Sequence, residues 1–233
     1  MYENLTTVGL DADDTLWQNE QFFRMTQARF AELLRDHVDP VGLQDRLLAA
    51  ERRNLGHYGY GIKGFVLSMI ETALDVTEDK VPASVVRELI TAGQDMLQHP
   101  IHLLPGIQEA VEWLACRYRL VLITKGDLLD QERKLAQSGL GDHFAGVEIV
   151  SDKTPQNYTE IFERHGGSVE TSLMVGNSLR SDILPALQAG AYGVYVPHDL
   201  TWSLEYAEEP TTHPRYRRCD SLGQFVTTLA RFY

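Results

Sequence analysis

The stretch VGLDADDTLW, residues 8–17, decides how the rest of the chain is read. Val8, Gly9 and Leu10 make an apolar lead-in that predicts a short buried strand, and it stops at Asp11 and Asp13, two acids spaced two apart. Side chains alternate along a strand, so these carboxylates point the same way and Ala12 the opposite way. A buried strand that ends in paired carboxylates is costly unless a cation or a reaction uses them. Asp14, Thr15 and Leu16 then turn the chain away.

From Trp17 the pattern becomes helical. Phe22, Phe23, Met25, Phe30, Leu33 and Leu34 form an apolar stripe between 19 and 37, closed by Asp39-Pro40. A second amphipathic helix carries Leu43, Leu47 and Leu48, and a glycine- and tyrosine-rich connection follows over Gly56–Gly61. A third helix runs through Phe65, Val66, Met69, Ile70 and Leu74, and a fourth opens at Pro82 and Ser84 and continues to Met96. Four helices with short connections predict a small antiparallel bundle.

From Leu103 the texture alternates between strand and helix, which predicts a doubly wound, mainly parallel, Rossmann-like α/β sheet covered by helices. Leu104-Pro105-Gly106 opens a helix, Leu120–Ile123 is a strand ending at Thr124-Lys125-Gly126, and a helix runs on to Gly139. Strand Val147–Val150 leads to Ser151-Asp152-Lys153 and a helix ending near Arg164. Strand Ser172–Val175 leads into Gly176-Asn177-Ser178-Leu179-Arg180-Ser181-Asp182 and a helix to Ala189-Gly190. Strand Tyr192–Val196, an irregular acidic and aromatic tail and a final helix over Leu222–Phe232 complete the chain. The expected domains are an α/β core of residues 1–16 and 101–233 and a helical insert of 17–100.

In open α/β sheets the ligand site lies beyond the carboxyl ends of the strands. Four polar clusters each follow an apolar run at that end: Asp11 with Asp13, Thr124, Lys153, and Asn177 to Asp182. Singly, such residues serve as turn hydroxyls, solvated lysines or helix caps. Their joint placement points to one site.

The formal net charge of −12 argues against a nucleic-acid backbone or an anionic membrane as the main partner. An anionic small substrate stays compatible, because a metal and a lysine reverse the field inside one cleft. A hydrophobic content of 43% and a charged content of 23% are those of a soluble globular protein. With no long apolar run and no basic-then-apolar leader in MYENLTTVGLD, the expected location is cytoplasmic. Cys116 and Cys219 make no disulfide framework, and Cys116, in a helix-like stretch, is expected to be an inert core thiol.

The DxDxT spacing of Asp11, Asp13 and Thr15, with the three later clusters in order, resembles the haloacid dehalogenase-like (HAD) superfamily, most of whose members are phosphatases. The resemblance covers nearly the whole chain. It implies Asp11 as the nucleophile that forms an aspartyl phosphate, and Asp13 as the acid that protonates the leaving oxygen and then activates water. It implies Thr124 as a phosphoryl ligand, helped by backbone N–H groups at Lys125 and Gly126, and Lys153 as the cation facing nucleophile and phosphate. Mg²⁺ would be held by Asp11, the Asp13 carbonyl, Asn177 and Asp182, and the substrate would be a small phosphorylated metabolite. The helical insert matches the class-one cap, with His57 to Lys63 as a substrate-facing loop carrying Tyr58, Tyr60 and Lys63, and with Trp17, Gln18 and Asn19 at the hinge. His198, Trp202 and Glu205 either rim the cleft or pack the tail. Asn177 departs from the family pattern, which has an acid there, and so resembles the metal-independent dehalogenases, although those lack the acid present as Asp13. A 2-haloacid dehalogenase-like hydrolase and a catalytically silent binding module are therefore the alternatives. The oligomeric state is left open.

Overall fold

The computed structural model describes residues 4–231, the side chains of residues 40 and 41 excepted. It divides into two compact units: residues 1–20, 101–125 and 131–233 form one, and 21–100 with 126–130 the other.

The first unit is built on a six-stranded, all-parallel sheet in the order β3-β2-β1-β4-β5-β6. The strands are β1 (Thr7–Leu10), β2 (Arg119–Lys125), β3 (Gly146–Val150), β4 (Ser172–Gly176), β5 (Tyr192–Tyr195) and β6 (Tyr216–Arg218). The order reverses at β1, from which the chain winds to β2 and β3 on one side and to β4, β5 and β6 on the other, and Asp11 follows its carboxyl end directly. Such a switch point opens a crevice for ligands.

Alternation along β1 separates two apolar layers. Val8, Leu10 and Ala12 join a core with Ile107, Leu114, Leu222 and Phe225. On the opposite face Val121, Ile123 and Met174 pack with Tyr158, Phe162 and Ala186. Gly9 belongs to this second face: a Cβ there would lie 2.9 Å from Ile123 Cδ1 and 3.0 Å from Met174 Sδ, so glycine lets the layer close without moving either side chain. Trp17 is fully buried in the first core, which places residues 17–20 with the sheet rather than with the helical insert.

The second unit contains α1 (Glu20–Leu34, from its second residue), α2 (Pro40–Tyr58), α3 (Ile62–Val76) and α4 (Ala83–Gln98). Phe30 and Leu34, Leu43 and Leu47, Phe65 and Met69, and Leu89 and Met96 supply one shared core, joined by Ile62 and Ala73 of α3. The expected connection at 56–61 is shorter than its glycine content suggests. Gly56, His57 and Tyr58 continue α2, and Ile62 and Lys63 already open α3. Only Gly59, Tyr60 and Gly61 connect the helices, and both glycines take positive φ values (70° and 120°).

In the sheet unit α5 (Ile107–Ala115), α6 (Leu128–Ser138, its first three residues grouped with the helical unit), α7 (Pro155–Arg164), α8 (Leu184–Ala189) and α9 (Leu222–Ala230) follow the strands. Three expectations are corrected. The segment after Gly176 begins as a π-turn over Leu179–Ile183 before α8. The irregular tail conceals β6, too short to show alternation. Cys116 is exposed as the C-cap of α5, because the apolar stripe of that helix is carried by Ile107, Ala110, Val111 and Leu114. The expected end of the last helix at Phe232 lies outside the described residues.

Candidate active site

All four sequence-predicted clusters meet beyond the strand ends of the sheet unit. Asp11 is 7% exposed. Its Oδ1 accepts from Lys153 Nζ at 2.5 Å, and its Oδ2 accepts from Thr15 Oγ1 at 2.9 Å. Lys153 Nζ also donates to Asp182 Oδ1 at 2.6 Å, so one buried ammonium bridges two buried carboxylates. Burial and the Asp182 charge push the Asp11 carboxyl up to about 7, against the pull of Lys153. Burial alone would lower the Lys153 ammonium, but the two carboxylates override it and the net shift is upward.

Asp182 stands behind this bridge. Its Oδ2 accepts from the Ser178 amide at 2.9 Å, so each of its oxygens has a hydrogen-bond donor. The π-turn makes this possible: Ile183 N donates to Ser178 O at 3.2 Å, and Ser178 Oγ accepts from Ser181 N. Asp182 lies over Gly176, where a Cβ would come within 2.2 Å of Oδ2.

One end of the Asn177 side-chain amide lies 3.2 Å from Asp11 Oδ2, from the Asp13 carbonyl oxygen and from Thr15 Oγ1. With the amide nitrogen at that end, its two N–H groups are shared among these three acceptors. With the oxygen at that end, Asp11 Oδ2, the Asp13 carbonyl and Asn177 Oδ1 form a cluster of acceptors in which the Thr15 hydroxyl supplies a single proton. Three oxygens so gathered suit a hard cation such as Mg²⁺, which takes oxygen ligands. Among the described residues no three His, Cys, Asp or Glu side chains gather as a metal cluster.

Asp13 is held differently. Its Oδ1 accepts from Trp17 Nε1 at 2.7 Å and from Lys134 Nζ at 3.0 Å. Its Oδ2 accepts from Lys134 Nζ at 3.1 Å and Gln131 Nε2 at 3.2 Å. Gln131 Nε2 also donates to Thr124 Oγ1 at 2.6 Å, which ties the end of β2 to the second acid. Sequence reasoning missed Gln131 and Lys134, because polar residues on a helix read as a solvent face. The usable signal is their i, i+3 spacing directly after the Thr124 cluster.

Lys125 turns its ammonium to Ser181 Oγ and Glu205 Oε1, each at 2.8 Å. Glu205 Oε2 accepts from Ser178 and Ser181 hydroxyls, and Arg180 donates to Leu204 O. Of the two tail alternatives, Glu205 thus packs the tail onto the loop after β4. Gly126, φ 126°, turns the chain sharply after β2. Asp14, φ 60°, accepts from the Asn19 and Glu20 amides and so caps α1, and His198 Nε2 lies 3.8 Å from its Oδ1. In the helical unit Tyr58 is exposed, and Lys63 Nζ donates to Asp127 Oδ1 at 3.2 Å.

Residues 5–190 match the haloacid dehalogenase-like hydrolase family. The chain belongs to that family. A haloacid dehalogenase-like hydrolase from Xanthomonas campestris superposes with a TM-score of 0.87 at 40% identity, over 98% of this chain and 91% of that one. A magnesium-bound HAD hydrolase from Bacillus subtilis shares the fold, with a TM-score of 0.67 at 19% identity over 96% and 98% of the two chains. Over 90 residues, 36% of this chain, the sequence is 34% identical to a glyceraldehyde 3-phosphate phosphatase of Methanothermobacter thermautotrophicus. That match spans 39% of the relative's length. No helix among the described residues is long and apolar enough to cross a membrane.

Proposed function

We propose that this HAD hydrolase is a magnesium-dependent phosphomonoesterase acting on a small phosphorylated metabolite through an aspartyl-phosphate intermediate. The observation that carries the reading is the division of labour between the two oxygens of Asp11, one on Lys153 and the other in the acceptor cluster with Asn177 and the Asp13 carbonyl. The phosphatase relative and the magnesium-bound neighbour support it.

In this reading Asp11 Oδ1 bonds to phosphorus, and the ester P–O bond breaks with its electron pair on the leaving oxygen. Asp13 gives that oxygen a proton and releases an alcohol. Asp13 then takes a proton from water as the water oxygen attacks phosphorus. The P–O bond to Asp11 breaks, freeing inorganic phosphate and restoring the carboxylate. Lys153 offsets the charge of the nucleophile and of the equatorial oxygens. Thr124, with the backbone after β2, orients the phosphoryl group. Asp11 Oδ2, the Asp13 carbonyl and Asn177 would hold Mg²⁺, which supplies charge stabilisation of the phosphoryl oxygens. Asp182 keeps Lys153 in place. Substrate selection falls to the helical unit, with Tyr58, Tyr60 and Lys63 as its candidate contacts.

The test is phosphate release from a panel of sugar and nucleotide monophosphates with Mg²⁺ present, alongside chloride release from 2-chloropropionate. Asp11→Asn is expected to lower turnover by roughly 10³-fold or more while the fold is kept, as for loss of a covalent route. Near-parent activity in that variant, or chloride release without phosphate release, would overturn the assignment.

A further inference from the structure

Helix α6 is inside out over its first two turns. Leu128 and Leu129 are 61% and 73% exposed, whereas Asp130, Gln131 and Lys134 are 5%, 2% and 6% exposed. A surface helix ordinarily buries its apolar residues, and burying a lysine is costly unless its charge is matched. Here the match is the acid of the phosphatase reading. We propose that Lys134 is a positioning residue that fixes the Asp13 carboxylate for proton transfer, an inference that rests on that reading.

The geometry is specific. Lys134 Nζ reaches both oxygens of Asp13, at 3.0 and 3.1 Å, and Asn19 Oδ1 at 2.9 Å. Trp17 Nε1 approaches Oδ1 and Gln131 Nε2 approaches Oδ2, so each oxygen faces two N–H donors. A short side chain fixed at both oxygens keeps one orientation. The Asp13 side chain remains 24% exposed beside a Lys134 side chain that is only 7% exposed, so the acid faces outward from a buried support. Lys134 acts on the reaction through Asp13. Gln131 extends the support to Thr124, so the acid and the phosphoryl ligand share one scaffold, the buried stripe of α6.

A double-mutant cycle separates this role from plain packing. kcat and KM are measured with p-nitrophenyl phosphate and phenyl phosphate for the parent, Lys134→Met, Lys134→Arg, Asp13→Asn and the double variant Asp13→Asn/Lys134→Met. Lys134→Met is expected to lower kcat for phenyl phosphate by about 10- to 100-fold, part of the range of a general acid, with KM little changed. The loss should be smaller for p-nitrophenyl phosphate, whose leaving group needs less protonation, and Lys134→Arg should recover part of it. In the Asp13→Asn background the same change should add no further loss, because there is no acid left to orient. If Lys134→Met fails to give a cooperatively melting protein, Lys134→Gln takes its place under the same criteria. A full additional loss on top of Asp13→Asn, or equal losses for both esters, would overturn the positioning role. Parent-like activity of Asp13→Asn itself would instead overturn the underlying phosphatase reading, whatever Lys134 does.

Discussion

The two units of this hydrolase treat charge differently. The helical unit shares an apolar core among four helices, buries the carboxylates of Glu51 and Asp130, and carries ion pairs at its surface: Arg29 with Glu88 and, at 3.6 Å, with Asp95, both partners being about half exposed or more. The sheet unit gathers buried charge beyond its strand ends. There the Lys153 and Asp182 side chains are 2% and 1% exposed, Asp11 lies beside them, and Asp13 meets the buried Lys134. Apolar packing alone would stabilise either unit more cheaply, since desolvating a charge opposes folding. Burial of ions at the strand ends therefore marks where stability has been set aside for chemistry, and surface pairs in the insert mark where it has not.

The strongest way to break this contrast is Lys153→Met. Removing the bridging ammonium leaves Asp11 and Asp182 uncompensated in a dry site, a loss of about 3–5 kcal/mol in thermal or urea unfolding. Activity should fall by roughly 10²-fold or more. The carboxyl of Asp11, already pushed up to about 7 from an ordinary 3.8, should move higher still. The folded variant would then hold a proton that the unfolded chain releases, so its stability should drop as pH rises from about 4 towards neutrality. A variant as stable as the parent at pH 7 would show that the site's charges are not mutually dependent.

Asn177→Asp sharpens the same point with a smaller effect. An added carboxylate beside Asp11 Oδ2 and the Asp13 carbonyl removes the N–H donors and adds repulsion in the metal-free protein. A loss on the order of 1 kcal/mol is expected without metal, with Mg²⁺ restoring more stability than it does in the parent. The half-saturating Mg²⁺ concentration for activity should drop roughly tenfold. Full parent activity in excess chelator would remove the metal from the reading and favour the dehalogenase-like alternative.

The least effect belongs to Arg29→Met in the insert. Its pairs are solvated, so unfolding should change by no more than about 1 kcal/mol and kcat should stay at the parent value. A destabilisation comparable to that of Lys153→Met would collapse the distinction between the units.

Much of the fold was legible because its signals are periodic. The apolar runs of β1, β2 and β4 end at chemistry-bearing residues, and the stripes of α1 to α4 follow the helical repeat. The site was legible where a residue follows a strand: Asp11, Asp13, Thr124, Lys153 and Asn177. It was illegible where a residue reaches the site from a helix. Gln131 and Lys134 lie in a polar segment whose burial depends on a partner 118 to 121 residues away. Asp182 was expected beside the metal; the contacts of its oxygens with Lys153 and the Ser178 amide follow from the π-turn, and π-turns leave no mark in hydrophobic spacing. Three residues of β6 are too few for alternation to show.

The tail makes one more contribution through Glu205. The matched family span ends at residue 190, yet this later carboxylate is tied to Lys125 beyond β2 and to Ser178 and Ser181 beyond β4. Two loops that leave the sheet on either side of β1 are thereby splinted by a segment that follows the matched family span. Their spacing is set late in the chain. Until residue 205 is in place, a nascent or clipped polypeptide would carry every residue assigned to the chemistry and still lack the brace between two of its loops.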